Sequence, residues 1–230
     1  MFEPAVERWR PAIAAQIAKA AYPFPVELIL ALISYESGGT PGATNPKSGA
    51  SGLMQVMPIT LRSYNNATGA NLTIEDLRGN TPESIAAQLR TGLWILAAYW
   101  RKAYQYIKAR EPVVPVDDLA TIADMFYAAG PGAIRPLLDQ IPRAIFAIFA
   151  KRYPTHKAQI HASKVWQTAT ENKAPWNLPA IDKFVSEGED QGEDQQIEKK
   201  DPKSGFILAL LVIAAAWLFF HKKKEKESNP

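Results

Sequence analysis

Apolar residues recur at helical intervals along most of this chain, and the places where that rhythm stops divide it into segments. Phe2, Val6, Trp9, Ile13 and Ile17 fall three or four positions apart, which predicts an amphipathic N-terminal helix. Ile29, Leu32 and Ile33 keep that spacing after Pro25, a residue suited to a first helical turn, and Gly38 and Gly39 stop the helix just past Glu36. A glycine-rich turn follows, and Pro58 opens the next helix. From Thr81 to Arg110, a cap threonine, Pro82 and an apolar face through Ile85, Leu89, Leu93, Leu96, Trp100 and Tyr104 predict the central helix. Asp117 is placed to cap a further helix carrying Leu119, Ile122 and Phe126 to a stop at Gly130. Two more helices are expected, from about Ala144 to Tyr153 and from Thr155 to Thr170. Alternating apolar runs are scarce, so residues 1–172 read as a mainly α domain with at most a small β element.

Beyond that the pattern changes twice. Residues 173–204, with SEGEDQGEDQQIEKKDPKSG, carry too little apolar surface to offset chain entropy and read as a disordered acidic linker. GFILALLVIAAAWLFF follows, an uncharged run from Gly205 to Phe220 that ends against His221 and three lysines. It predicts a single C-terminal transmembrane helix over 205–221, with a basic tail at 222–230. At ~1.5 Å per residue the run reaches ~24 Å, short of a ~30 Å hydrocarbon core, and snorkelling by Lys203 and Lys222 closes the gap. Lysines after the span favour a cytoplasmic C-terminus and a periplasmic domain. The N-terminal segment interleaves Glu3, Glu7, Arg8 and Arg10 with its apolar residues, which is not the pattern of a secretory signal.

Composition narrows the function classes. A hydrophobic share of 47% over 230 residues suffices for one domain's core. The net charge of +3 comes partly from the terminal HKKKEK cluster, so nucleic acid is not a required partner. There is no cysteine, hence no disulfide framework or thiolate metal site, and His156, His161 and His221 are scattered rather than spaced as a ligand set. Asp117, Asp118 and Asp124 read as helix-capping or solvated residues.

The candidate chemistry lies between Glu36 and Thr60. Glu36 follows Ile29, Leu32 and Ile33 on one helix face, and a carboxyl group beside apolar surface loses hydration and holds its proton more tightly. Such a group suits an acid step. Gly49 and Gly52 let the backbone pass close to a ligand, and Gln55 offers an amide there.

Three ordered blocks resemble the lytic transglycosylases of the soluble-transglycosylase type: Glu36-Ser37; then Gly49-Ala50-Ser51-Gly52-Leu53-Met54-Gln55 with Pro58 and Thr60; then Phe126-Tyr127-Ala128-Ala129-Gly130. Ala128 stands where the family commonly has asparagine, and the family's late Glu-Thr and tyrosine block has no match in IPRAIFAIFAKRY. The resemblance implies a lysozyme-like fold with Glu36 as the catalytic residue. It further implies substrate contacts from Ser37, Gly52, Leu53, Met54, Gln55, Tyr127 and Ala129. Tyr127 is expected to meet the sugar or Glu36, its alternative being to anchor its helix through the hydroxyl.

The reaction so implied needs no metal or organic cofactor. Glu36 protonates the oxygen joining N-acetylmuramic acid to N-acetylglucosamine, then takes the proton of the muramic acid's C6 hydroxyl as that oxygen closes on the anomeric carbon. The products are 1,6-anhydro ends of peptidoglycan glycan strands. Two other readings stay open: a goose-type-lysozyme-like hydrolase with its water placed by Asp76 or Asp124, and a non-catalytic wall-binding or virion structural protein. The combination of a wall-cleaving domain, a C-terminal anchor and no export signal suits a bacteriophage with a membrane inside its capsid, opening the wall for genome delivery. The runner-up is a conjugation or secretion apparatus in a bacterial inner membrane, with other envelope proteins as partners.

Overall fold

The structure, a computed structural model, describes residues 1–141 and 146–187. Two short helices open the chain, α1 (Pro4–Glu7) and α2 (Arg10–Ala20), where the apolar spacing alone predicts one. Pro11 lies in the first turn of α2, and a proline lacks the N–H that an unbroken helix would need there, so the chain turns at Arg8 and Trp9. Phe2, Val6 and Ile13 are buried as the pattern predicts. The turn aims Arg8 Nη2 and Trp9 Nε1 at one acceptor, the carbonyl of Gly39, at 3.0 and 2.9 Å.

That carbonyl belongs to the turn ending α3 (Val26–Ser37), whose last residue precedes left-handed Gly38. Gly39 also has a positive φ of +80°, and a Cβ there would sit 2.2 Å from the carbonyl oxygen of Ala5. Only glycine fits so close under α1. The N-terminal helices thus clamp the turn immediately after Glu36. Next come α4 (Pro58–Thr68), opened by its proline, and a 3-10 turn at Glu75–Leu77.

The central helix is α5 (Pro82–Lys108), where Thr81 Oγ1 accepts the Ser84 N–H at 3.3 Å. Its 27 residues span ~40 Å. Ile85, Leu89, Leu93, Leu96, Trp100 and Tyr104 are all buried, as the apolar stripe predicts. After it, α6 (Val116–Ala129) begins two residues earlier than expected, with Pro115 as its cap residue, so Asp117 is not the cap. Asp117 and Asp118 lie instead in the first turn, where carboxylates favour the helix dipole. Gly130 ends α6 and Pro131 at once opens α7 (Pro131–Leu138), a helix the sequence pattern hides behind what looks like a plain stop. The last helices are α8 (Phe146–Arg152), α9 (Lys157–Glu171) and α10 (Leu178–Glu187). Strand structure among the described residues is limited to isolated bridges pairing Thr44 with Ser51 and Ser51 with Val56.

Packing places α5 against α2, α4, α6 and α10, while α9 lies against both α6 and α3. A side chain on the inner face of α9 therefore meets the end of α3 and the middle of α6. The domain also extends past residue 172, which corrects the linker boundary. In α10, Ile181 and Val185 are buried, Phe184 packs edge-on to Tyr22 and Phe24, and the Arg101 guanidinium stacks 4.3 Å over Phe184. The short apolar stretch LPAIDKFV is easily lost in its acidic surroundings, yet it covers the aromatic end of α5. Residues 188–204 and the span expected at 205–221 lie outside the described residues. Among the described residues no helix is long and apolar enough to cross a membrane.

A chain ending at Glu187 should therefore fold cooperatively, whereas one ending at Asn172 should lose about 3–5 kcal/mol from exposing Ile181, Val185 and the rings they cover. Urea denaturation of the two truncated chains measures the difference, and equal midpoints would remove α10 from the folded domain.

Candidate active site

Glu36 lies in the last turn of α3, with 18% of its side chain exposed, wet enough to meet a ligand and buried enough to be held. Its Oε1 is 3.0 Å from Nε2 of His161, and Nδ1 of that ring is 2.5 Å from Oδ2 of Asp124. The three groups come from α3, α9 and α6. Burial alone would lower the proton affinity of His161, but the charge and hydrogen bond of Asp124, followed by those of Glu36, override it and push the imidazole pKa up to about 10. A protonated ring donates from both nitrogens, one to each carboxyl group. The edge of the ring also meets Tyr35, centroid to centroid 4.3 Å.

This arrangement corrects two sequence expectations. Glu36 is not set simply against apolar surface, because a charged ring hydrogen-bonds to it. Asp124 neither caps nor solvates a helix: it is 4% exposed and paired with His161. The signal was a polar residue on the buried stripe of each helix, Asp124 beside Ala120 and Ala123, and His161 beside Ala158, Ala162 and Val165. Read one at a time, each resembles an isolated exception. Only the packing of α9 into the corner between α3 and α6 makes them a set.

The glycine-rich loop is braced from α5. Gln88 is almost fully buried; its Oε1 accepts the Leu53 N–H at 2.9 Å while Nε2 donates to the Gly79 carbonyl at 2.8 Å. Gly52 has φ +81°, and a Cβ there would lie 2.7 Å from the Leu77 carbonyl and 2.9 Å from Gln88 Oε1. Several residues expected to touch substrate are thereby given other work. Leu53 and Met54 are 0% and 1% exposed, and Met54 fills the notch that Gly92 leaves in α5, so neither side chain offers surface to a ligand. Gln55, itself at positive φ, donates its amide N–H groups to the carbonyls of Ala43 and Gly52, at 3.1 and 3.0 Å, and so holds the loop closed. Ser37 donates to the Ile33 carbonyl and accepts from the Gly39 N–H, both at 3.2 Å, which closes the end of α3.

Tyr127 follows its anchoring alternative. Its hydroxyl donates to the Met54 carbonyl at 2.6 Å, tying the end of α6 to the loop, and its ring packs edge-on to Tyr99. Burial raises its pKa well above the usual phenol range, with the charges of Glu36, Tyr99 and Asp124 adding to the effect. Ala129 is exposed at the end of the same helix, beside Ala128. The arrangement is one partly exposed carboxyl group held from below by His161 and Asp124, with a braced loop tied to the end of α6 by Tyr127. Among the described residues no group of three or more His, Asp or Glu side chains is arranged to hold a metal ion.

The His161 pKa carries a stability signature. Because the folded value of about 10 lies above the unfolded 6.5, its contribution is complete below pH ~6.5 and is lost as pH rises through about 10. Denaturation midpoints of the wild type should therefore fall over that window, and those of His161→Gln should fall less. Parallel curves would contradict the charged state of the ring.

Residues 13–114 match the family model of the transglycosylase SLT domain, a span that holds Glu36 and the braced loop but ends before Asp124, Tyr127 and His161. No curated protein matches the chain significantly. Among solved structures, the 70 kDa soluble lytic transglycosylase of Escherichia coli aligns with 76% of this chain and 24% of that chain, at 20% identity and a TM-score of 0.47. The chain spans about a quarter of that protein's length. Glu36 and the loop that faces it thus lie inside a segment carrying the sequence pattern of a transglycosylase SLT domain.

Proposed function

We propose that this protein is a peptidoglycan lytic transglycosylase with Glu36 as acid and then base; the lysozyme-like assignment belongs to the same reading. The observation that carries it is that, among the described residues, both acids weighed as a second working carboxylate beside Glu36 are already bound to other groups. A hydrolase that activates water, or a retaining glycosidase with a carboxylate nucleophile, needs two flanking acids. The two residues that could fill that place are both engaged. Asp124 is buried on His161. Asp76 accepts from the backbone N–H and hydroxyl of Thr73, at 2.7 and 2.8 Å, in an exposed turn.

One carboxylate suffices when the nucleophile belongs to the substrate. Protonated Glu36 gives its proton to the glycosidic oxygen as the bond from the anomeric carbon breaks, and N-acetylglucosamine leaves as an alcohol. The carboxylate then takes the proton of the C6 hydroxyl as that oxygen bonds to the anomeric carbon, which returns Glu36 to its protonated form and closes the 1,6-anhydro ring. Atoms balance without water, and the attack gains from having nucleophile and electrophile on one sugar.

The surrounding context belongs to the proposal as well. The uncharged run at 205–220, followed by lysines, supports a bilayer anchor, and the anchored wall-cleaving domain suits a phage particle with an internal membrane or, failing that, an inner-membrane apparatus facing the periplasm.

Glu36→Gln keeps the side chain's shape and cannot deliver the proton, so it should fold normally and lose ~10³-fold or more of its clearing of purified peptidoglycan. Near-normal clearing would remove Glu36 from the mechanism, and no clearing by the wild type would favour the non-catalytic wall-binding reading. In a flotation gradient with liposomes, the full chain should rise with lipid and a chain ending at Glu187 should stay below. Rise of both, or of neither, would contradict the anchor.

A further inference from the structure

Glu36 is gripped on one oxygen only. Oε1 receives the His161 Nε2–H, and among the described residues Oε2 has no protein partner. His161 itself is fixed by its other hydrogen bond to Asp124 and by the Tyr35 ring against its face or edge, and it is 6% exposed. A glutamate side chain has three rotatable bonds, and at the surface it would sample several rotamers. Here one oxygen is anchored to a ring that cannot turn.

We propose that His161 and Asp124 are positioning residues that present Glu36 to the substrate through Oε2 alone, so that the same oxygen gives the proton to the leaving group and takes it back from the C6 hydroxyl. The inference rests on the transglycosylase reading and deepens it. The ring keeps its charge throughout the cycle: Oε2–H protonates the glycosidic oxygen, the C6 proton returns to Oε2, and both His161 N–H bonds stay where they began. Asp124 supplies the compensating negative charge, without which a buried imidazolium beside the acid would be unsupported. The charged and titratable groups around the ring and its two acids are Glu36 and Tyr35 from α3, and Asp124 and Tyr127 from α6; on α9 itself Lys164 lies 5.8 Å from the Tyr35 ring. Neither His161 nor Asp124 falls within the matched segment 13–114, so this support is a feature of the chain's own later helices.

A role of this kind predicts shifts in the same direction from two substitutions. His161→Gln removes the positive charge that hydrogen-bonds to the acid, so the alkaline limb of kcat should move upward. Asp124→Asn removes the charge that keeps the buried ring protonated, so the positive charge beside the acid is lost and the limb should move upward as well. In both variants kcat should fall ~10²-fold from misplacement of the acid, with KM changed far less. Circular dichroism checks that each variant is folded. Folded variants whose pH limbs coincide with the wild type would overturn the proposal even if activity is lost, because a merely structural role moves stability and not the titration.

Nitrogen-detected NMR of the imidazole in the full chain provides an independent arm. The wild-type ring should stay protonated well above pH 8, and Glu36→Gln should lower the pH at which it titrates. A ring that titrates near 6.5, or is indifferent to Glu36→Gln, would overturn the pairing whether or not His161→Gln folds. Absence of cleavage by the wild type would instead sink the transglycosylase reading, while the NMR result still decides the pair.

Discussion

The His161 ring between the carboxyl groups of Glu36 and Asp124 is the interaction on which the site depends. Charges taken out of water are costly unless paired and hydrogen-bonded, and breaking such a buried pair costs ~3–5 kcal/mol because the remaining charge is stranded. This chain can therefore dock α9 against α3 and α6 in essentially one register, the one that brings ring and carboxylates together. Apolar burial along these helices drives the packing, and the ion chain selects its alignment. The consequence is that the geometry around Glu36 is a by-product of how the helical domain closes.

The glycine-rich lobe is built by a different device. Its loop contains almost no regular structure, yet its backbone is tied to Gln88 of α5, to the Tyr127 hydroxyl of α6 and to its own Gln55 amide. The N-terminal helices add a fourth tie through Arg8 and Trp9 to Gly39. A loop held at so many points has little conformational entropy left to lose, which favours a rigid local surface. The residues of the Gly-Leu-Met-Gln block work mainly inward, as packing and bracing, and the surface they create is largely backbone.

Local signals made much of this visible in the sequence. Prolines at first turns and glycines at helix ends gave α3, α4 and the stop of α6, and the stripe from Ile85 to Tyr104 gave α5 with its capping threonine. Glu36 and the loop stood out by their spacing. What escaped was whatever depends on distant contacts. Gln88 looks like one more polar residue on a long helix until the loop lies across it, and α10 looks like part of an acidic linker until Phe184 meets Tyr22 and Phe24. His161 is 125 positions from Glu36, and no local pattern announces a partner at that distance. The inward turn of Leu53 and Met54 escaped for the same reason, since a position in a motif does not say which way a side chain turns.

The central claim is that one carboxylate and the sugar's own hydroxyl complete the reaction, with Asp124 committed to His161. Mass spectrometry of muropeptides released from purified peptidoglycan in heavy-oxygen water tests this directly. The account predicts 1,6-anhydromuramic ends, each one water lighter than a hydrolytic product and free of solvent label. Reducing ends carrying the label at the anomeric carbon in most products would contradict it and assign the attack to water.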